Sequence, residues 1–187
     1  MLVSVMEPST DIAVIINPAS AAGRTARRIR DIRDAADALK PVYDKTNRRD
    51  GYVSLEVAPT LANDTQGTID EARRLWKEVG RPNLMIKVPG TAAGLPAVET
   101  LLGEGMNINV TLLFSQKVYE DVAHAYIAGL ERAAARGIDP SGIASVASFF
   151  VSRIDTAVDN MIDKKLPAAN DAEKALLESI RSKVAIA

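Results

Sequence analysis

Residues 83–115 read NLMIKVPGTAAGLPAVETLLGEGMNINVTLLFS, and the rest of the chain repeats their pattern. Asn83 to Pro89 is an apolar β-type run. Ala93 to Leu102 has the spacing of a short helix, and Asn107 to Ser115 is a second β-type run. Strand, helix and strand in that order predict a βαβ unit in a parallel sheet. Upstream lies the run Gly51 to Val57 (GYVSLEV), followed by a helix from Gln66 to Val79. That helix places Ile69, Ala72, Leu75, Trp76 and Val79 on one face, with Thr65 as its expected cap and Gly80 as its stop. Earlier still come a strand from Asp11 to Asn17 and a helix from Arg24 to Lys40, which Pro41 is expected to interrupt. Downstream are a helix from Lys117 to Arg136, a strand from Ser145 to Ser152, and helices from Thr156 to Lys164 and Asp171 to Val184.

Apolar strands alternating with helices leave two architectures, an open doubly wound sheet or a (β/α) barrel. A complete barrel takes about 250 residues. The 187 residues here supply four clear βα units and a less regular fifth, so a closed eight-stranded barrel does not fit. An apolar share of 47% and a charged share of 25% predict an ordinary globular protein with a sizeable core. The near balance of 23 Lys and Arg against 24 Asp and Glu offers no basic field for nucleic acid or an anionic membrane. There is no cysteine, which removes disulfides, thiolate catalysis and cysteine–zinc sites. A single histidine, His124, removes most histidine relays and multi-histidine metal sites. The first residues lack a basic n-region, and no apolar run is long enough for a membrane span. The expected setting is a reducing, cytoplasmic one.

The strands carry polar residues at alternating positions near their C-terminal ends. Ser54 and Glu56, then Lys87 beside Met85, then Asn109 and Thr111, then Ser148 with Phe150 each share a face, because side chains two apart in a strand point the same way. In a barrel those residues would converge where barrel enzymes place their chemistry. Lys87 is the sharpest of them, because it sits inside the apolar run Leu84 to Pro89. A desolvated lysine is more readily neutral, and a neutral amine can attack a carbonyl to form a Schiff base. The plainer reading is a strand-end lysine that reaches water or pairs with Glu56. Glu56 alone reads as an ion-pair partner, and Asn109 and Thr111 alone as satisfied polar groups. His124, Trp76 and the arginines at 27, 28, 30 and 33 read as surface or packing features, and the turn from Val88 to Thr91, where a strand enters a helix, reads equally as a phosphate site or an ordinary βα turn.

Five ordered blocks, AADALKPVYD, DGYVSLEVAP, PNLMIKVPGT, GMNINVTLLFS and SVASFFVSRIDTAVD, resemble the transaldolase family, in particular its bacterial branch. The resemblance runs from about residue 29 to 187. It implies a (β/α)8 barrel of which this chain covers the middle four βα units. It implies transfer of a dihydroxyacetone unit from a ketose phosphate to an aldose phosphate in the pentose phosphate pathway, with no metal or organic cofactor. In that family's pattern Lys87 is the Schiff-base lysine, and Glu56 positions the catalytic water with Thr111. Asn109, Ser148, Phe150 and Arg153 hold the substrate, with Arg153 near its phosphate. Sugar phosphates are then the expected partners, with neither nucleic acid nor membrane, and an assembly of identical chains is left open.

The resemblance has gaps. The family's general acid–base aspartate, on a strand ahead of GYVSLEV, has no counterpart here. Its Thr-x-Asn-Pro segment is met only by Ile15-Ile16-Asn17-Pro18. By the family's strand count the last two strands, which carry further phosphate-binding residues, lie beyond Ala187. Residues 11–29 instead resemble the first strand and turn of diacylglycerol-kinase-type lipid kinases. Residues 1–28 are therefore expected to be a segment of separate origin, and 29–187 a partial barrel. Two further readings stand beside the enzyme: a partial barrel without activity, and a phosphate- or nucleotide-binding module.

Overall fold

The computed structural model describes residues 15–16 and 25–184. Five strands alternate with helices: β1 (Ile15–Ile16), α1 (Thr25–Lys45), β2 (Val53–Glu56), α2 (Thr65–Val79), β3 (Leu84–Pro89), α3 (Gly94–Leu102), β4 (Ile108–Leu113), α4 (Gln116–Ala135), β5 (Ser145–Phe149), α5 (Val151–Lys165) and α6 (Asp171–Ile180). The sheet order is β1-β2-β3-β4-β5, the order of the chain itself. The pairings β1–β2, β2–β3 and β3–β4 are parallel. The strand expected over Asp11 to Asn17 is described at Ile15 and Ile16, and its other residues lie outside the described part. No helix among the described residues is long and apolar enough to cross a membrane. Two compact units divide the chain, one ending at Ser148 and the other beginning at Phe149.

The core of the first unit follows from two periodicities. Val53 and Leu55 on β2, Val57 just after it, Leu84, Ile86 and Val88 on β3, and Ile108 and Val110 on β4, each two residues apart along the chain, are buried on one face. The helices answer with buried stripes: Ile29, Ile32 and Ala36 on α1, Ile69, Ala72, Leu75 and Val79 on α2, and Ala97, Val98, Leu101 and Leu102 on α3. Each fully buried aliphatic side chain contributes about 1.5–3 kcal/mol. Buried amides pin the strand starts. Asn83 Nδ2 donates to the carbonyls of Ala36 and Gly51, at 2.8 and 2.9 Å. Asn107 Nδ2 donates to those of Pro82 and Leu84, both at 3.0 Å.

Three local expectations are corrected. α1 does not stop at Pro41 but runs through it to Lys45. Tyr43 continues the buried stripe of that helix, and its packing offsets the cost of a helical proline. Thr65 does not cap α2. Its hydroxyl donates to the Ala93 carbonyl at 2.7 Å, and Asp64 caps instead by accepting from Gly67 N at 2.9 Å. Gly80 ends α2 in the left-handed conformation, as expected. The strand expected to reach Ser152 ends at Phe149, and α5 begins at Val151. There the helical stripe of Ile154, Val158 and the buried Ile162 outweighs the β-type character of Phe149 to Val151.

In the second unit, α5 and α6 are joined by a short 3-10 turn, Leu166–Ala168. Asn170 and Glu173 form a reciprocal capping box at the start of α6. Arg181 donates to Asp163 at 2.7 Å, which ties the end of α6 back to α5.

Candidate active site

β3 is buried along its whole length, so Lys87 has little access to water and is only 7% exposed. The strand register places Glu56 directly opposite it on β2 and Asn109 directly opposite it on β4. Lys87 Nζ lies 4.0 Å from Glu56 Oε2. That spacing is the outer limit of an ion pair, and it leaves the amine room to meet a ligand. Both partners are held by backbone ladders rather than by flexible loops, the arrangement that preorganises a reactive group.

A second set of contacts runs beside the lysine. Asn109 Nδ2 donates to Ser54 Oγ at 3.1 Å, and Ser148 Oγ donates to Asn109 Oδ1 at 2.8 Å. Ser54 stands opposite Met85, and Asn109 stands opposite Lys87. The bond between Ser54 and Asn109 therefore crosses the face of β3 between Met85 and Lys87. Together the two bonds fix the Asn109 amide, with its NH2 toward β2 and its oxygen toward β5. Thr111 is 1% exposed, and its buried hydroxyl has no hydrogen-bond partner among the described residues. Such a hydroxyl is expensive to bury unless a ligand or a water completes it.

Four strands thus bring Lys87, Glu56, Asn109, Thr111 and Ser148 to one face of the sheet. Phe150 and Arg153 belong to the second unit. Phe150 is the N-cap residue of α5 and Arg153 lies in its first turn, where the guanidinium sits 4.5 Å from the centre of the Phe150 ring. Because β5 has ended, strand alternation no longer relates Phe150 to Ser148. Ser54 carries a larger part than its sequence position suggested. Its alternation with Glu56 was visible, but a bond across an intervening strand was not. His124 lies on α4, beside Asp121 and near Leu95 and Glu99 of α3, in an open depression away from the lysine. Among the described residues, no group of three or more His, Asp or Glu side chains is placed to hold a metal ion.

The model of the transaldolase/fructose-6-phosphate aldolase family matches residues 14–186. The chain belongs to this family. It is similar to Transaldolase 2 of a Nostoc species, 58% identical over 159 residues, which cover 84% of this chain and 42% of that protein. It is also similar to the transaldolase of Trichodesmium erythraeum, 57% identical over the same shares of the two chains. To Transaldolase 1 of Streptomyces avermitilis it is 56% identical over 146 residues, 78% of this chain and 38% of that one. The chain spans about two-fifths of the length of these curated relatives. The α/β architecture, with helices joining parallel strands, is that of a partial copy of the family's (β/α)8 barrel. The family match begins at residue 14 and so takes in much of the segment that resembles a lipid kinase.

Proposed function

We propose that this chain carries the Schiff-base centre of a transaldolase and acts on a ketose phosphate. The observation that carries the reading is the cross-strand setting of Lys87. It is buried on β3, opposite Glu56 and Asn109, in a chain that belongs to the family. The Lys87 amine attacks the ketose carbonyl, water leaves, and a cationic imine forms. When the bond between C3 and C4 breaks, the C4 hydroxyl gives its proton to a base at the site, the imine takes up the electron pair and an aldose phosphate departs. The retained three-carbon unit then adds to the aldehyde carbon of a second aldose phosphate, and water releases Lys87.

Glu56 holds and activates the water that enters and leaves at the imine, and Thr111 supplies a hydroxyl to it. Asn109, held by Ser54 and Ser148, presents its amide to the substrate hydroxyls. By the resemblance to the family, Phe150 and Arg153 are substrate-binding residues, and a guanidinium suits a phosphate. The pentose phosphate pathway, a reducing cytoplasm and residues 29–187 as the barrel part belong to the same proposal.

A second reading is a partial barrel that binds sugar but does not turn over. The span of the chain, about two-fifths of the length of its curated relatives, fits that reading. Borohydride trapping with fructose 6-phosphate, read by intact mass and peptide mapping, separates the readings. A three-carbon adduct on Lys87 supports the full reaction. A six-carbon phosphate adduct on Lys87 supports imine formation without cleavage. A folded chain that traps nothing refutes the Schiff-base reading.

A further inference from the structure

Leu112 breaks the pattern of its own strand. It lies within β4, yet its φ is +63°. A leucine in the left-handed region costs about 1–2 kcal/mol, and such a residue persists only where its surroundings hold it. Both sides of it are held. Gly90 N donates to the Thr111 carbonyl at 2.8 Å, and Leu113 is fully buried. A Cβ built on Gly90 would meet Leu113 Cδ2 at 2.6 Å and Val110 Cγ1 at 3.5 Å, so Leu113 packs on the side of Val110. Thr111 and Leu113 should share a face in a regular strand. The left-handed residue between them shifts the phase by one position, as a bulge does. Thr111 therefore stays on the face of Lys87, and the Leu112 side chain joins that face.

This strain does not serve the core, because Leu112 is 42% exposed. Glycine or asparagine would adopt the same backbone at less cost. What the side chain does is wall a small cavity of about 70 Å³, lined also by Glu56, Ala58, Pro59 and Pro89. The cavity is of a size for a few water molecules. We infer that Leu112 is a gating residue that limits the water reaching Glu56, and so sets how long the Lys87 imine survives before hydrolysis. The inference rests on the Schiff-base reading above. In that hydrolysis the water oxygen bonds to the imine carbon, and its proton passes to the Glu56 carboxylate. Glu56 returns that proton to the nitrogen, the carbon–nitrogen bond breaks as the new hydroxyl gives its remaining proton back to the Glu56 carboxylate, and the ketone leaves. A site that completes transfer gains from slowing this step, and a site that only releases its ketone does not.

The test uses the whole chain loaded with fructose 6-phosphate. Free sugar is removed by rapid gel filtration, and borohydride is added after increasing delays. The decay of reducible adduct on Lys87 reads the lifetime of the imine. Leu112→Gly and Leu112→Asn keep the backbone and remove the apolar wall. They should shorten the lifetime by roughly three- to tenfold, with thermal midpoint and initial adduct yield retained. Leu112→Met should preserve the lifetime. Leu112→Val, which resists the left-handed backbone, should lower the thermal midpoint instead. The inference is overturned if the Gly and Asn variants leave the lifetime unchanged. It is equally overturned if the Met variant shortens it as much as they do. A wild-type chain that forms no adduct refutes the Schiff-base reading, and this inference with it.

Discussion

Lys87 and Glu56 are direct cross-strand partners whose charged atoms stop 4.0 Å apart, with the lysine side chain 9% and the glutamate side chain 21% exposed. That spacing is longer than a charge-assisted hydrogen bond. The open spacing suits two groups that act on something between them. Lys87→Arg keeps a cation and removes the nucleophilic amine, so it should abolish trapping with fructose 6-phosphate. Glu56→Gln keeps the shape and removes the proton acceptor. It should slow imine formation and release without abolishing adduct on Lys87. Time-resolved trapping followed by peptide mapping checks both, and a trapped adduct in the arginine variant would remove Lys87 from its role.

Ser54 reaches across β3 to hold the Asn109 amide. Ser54→Ala should cost about 1 kcal/mol of stability, the worth of one neutral hydrogen bond. It should also lower adduct yield through Asn109. If Ser54→Ala and Asn109→Ala act through one amide, their combined effect on trapping will be smaller than the sum of the two. Additive effects on the trapping rate would show that the serine acts on its own.

Asn83 is completely buried and satisfies two carbonyls, those of Ala36 and Gly51. Asn83→Ala removes the side-chain donor from both carbonyls and should destabilise the chain by about 2–3 kcal/mol. Urea unfolding by circular dichroism measures this as a lower midpoint with an unchanged slope. A loss below half of that range would mean that water replaces the amide.

Burial, followed by the neighbouring Tyr43, pushes the Tyr52 hydroxyl up to about 12, while Arg48 acts in the opposite direction. The fold therefore keeps the Tyr52 proton across a range in which the unfolded chain has lost it. The resulting stability is fully present below about pH 10 and is lost as pH rises toward 12. Tyr52→Phe should flatten that alkaline decline. Urea midpoints at rising pH for the two proteins provide the comparison, and parallel curves would refute it.

Much of the fold was legible because periodicity is local. The buried stripes of α1, α2 and α3 and the alternation of β2 and β4 follow from residues two to four apart. The candidate lysine was legible for a similar reason, since a charge inside Leu84 to Pro89 conflicts with its surroundings. Less legible were the points where two local signals competed. Pro41 argued against the helix that Tyr43 continues. Phe149 to Val151 read as strand, while the stripe through Ile154 and Ile162 was helical. Thr65 and Asp64 were both able to cap α2, and only the nearby Ala93 carbonyl separated them.

The sequence by itself determined the order of strands and helices, the family and the identity of the polar residues along the strands. These depend on nearest neighbours in the chain and on the blocks they form. The tertiary structure decided which of those residues meet. The strand register set Glu56 against Lys87, and the bond across β3 joined Ser54 to Asn109. The turned backbone at Leu112 put that residue on the wall of the cavity that Glu56 also lines. Register and strain are settled by packing between segments far apart in the chain, because burying the helix stripes against the sheet selects one alignment of the strands.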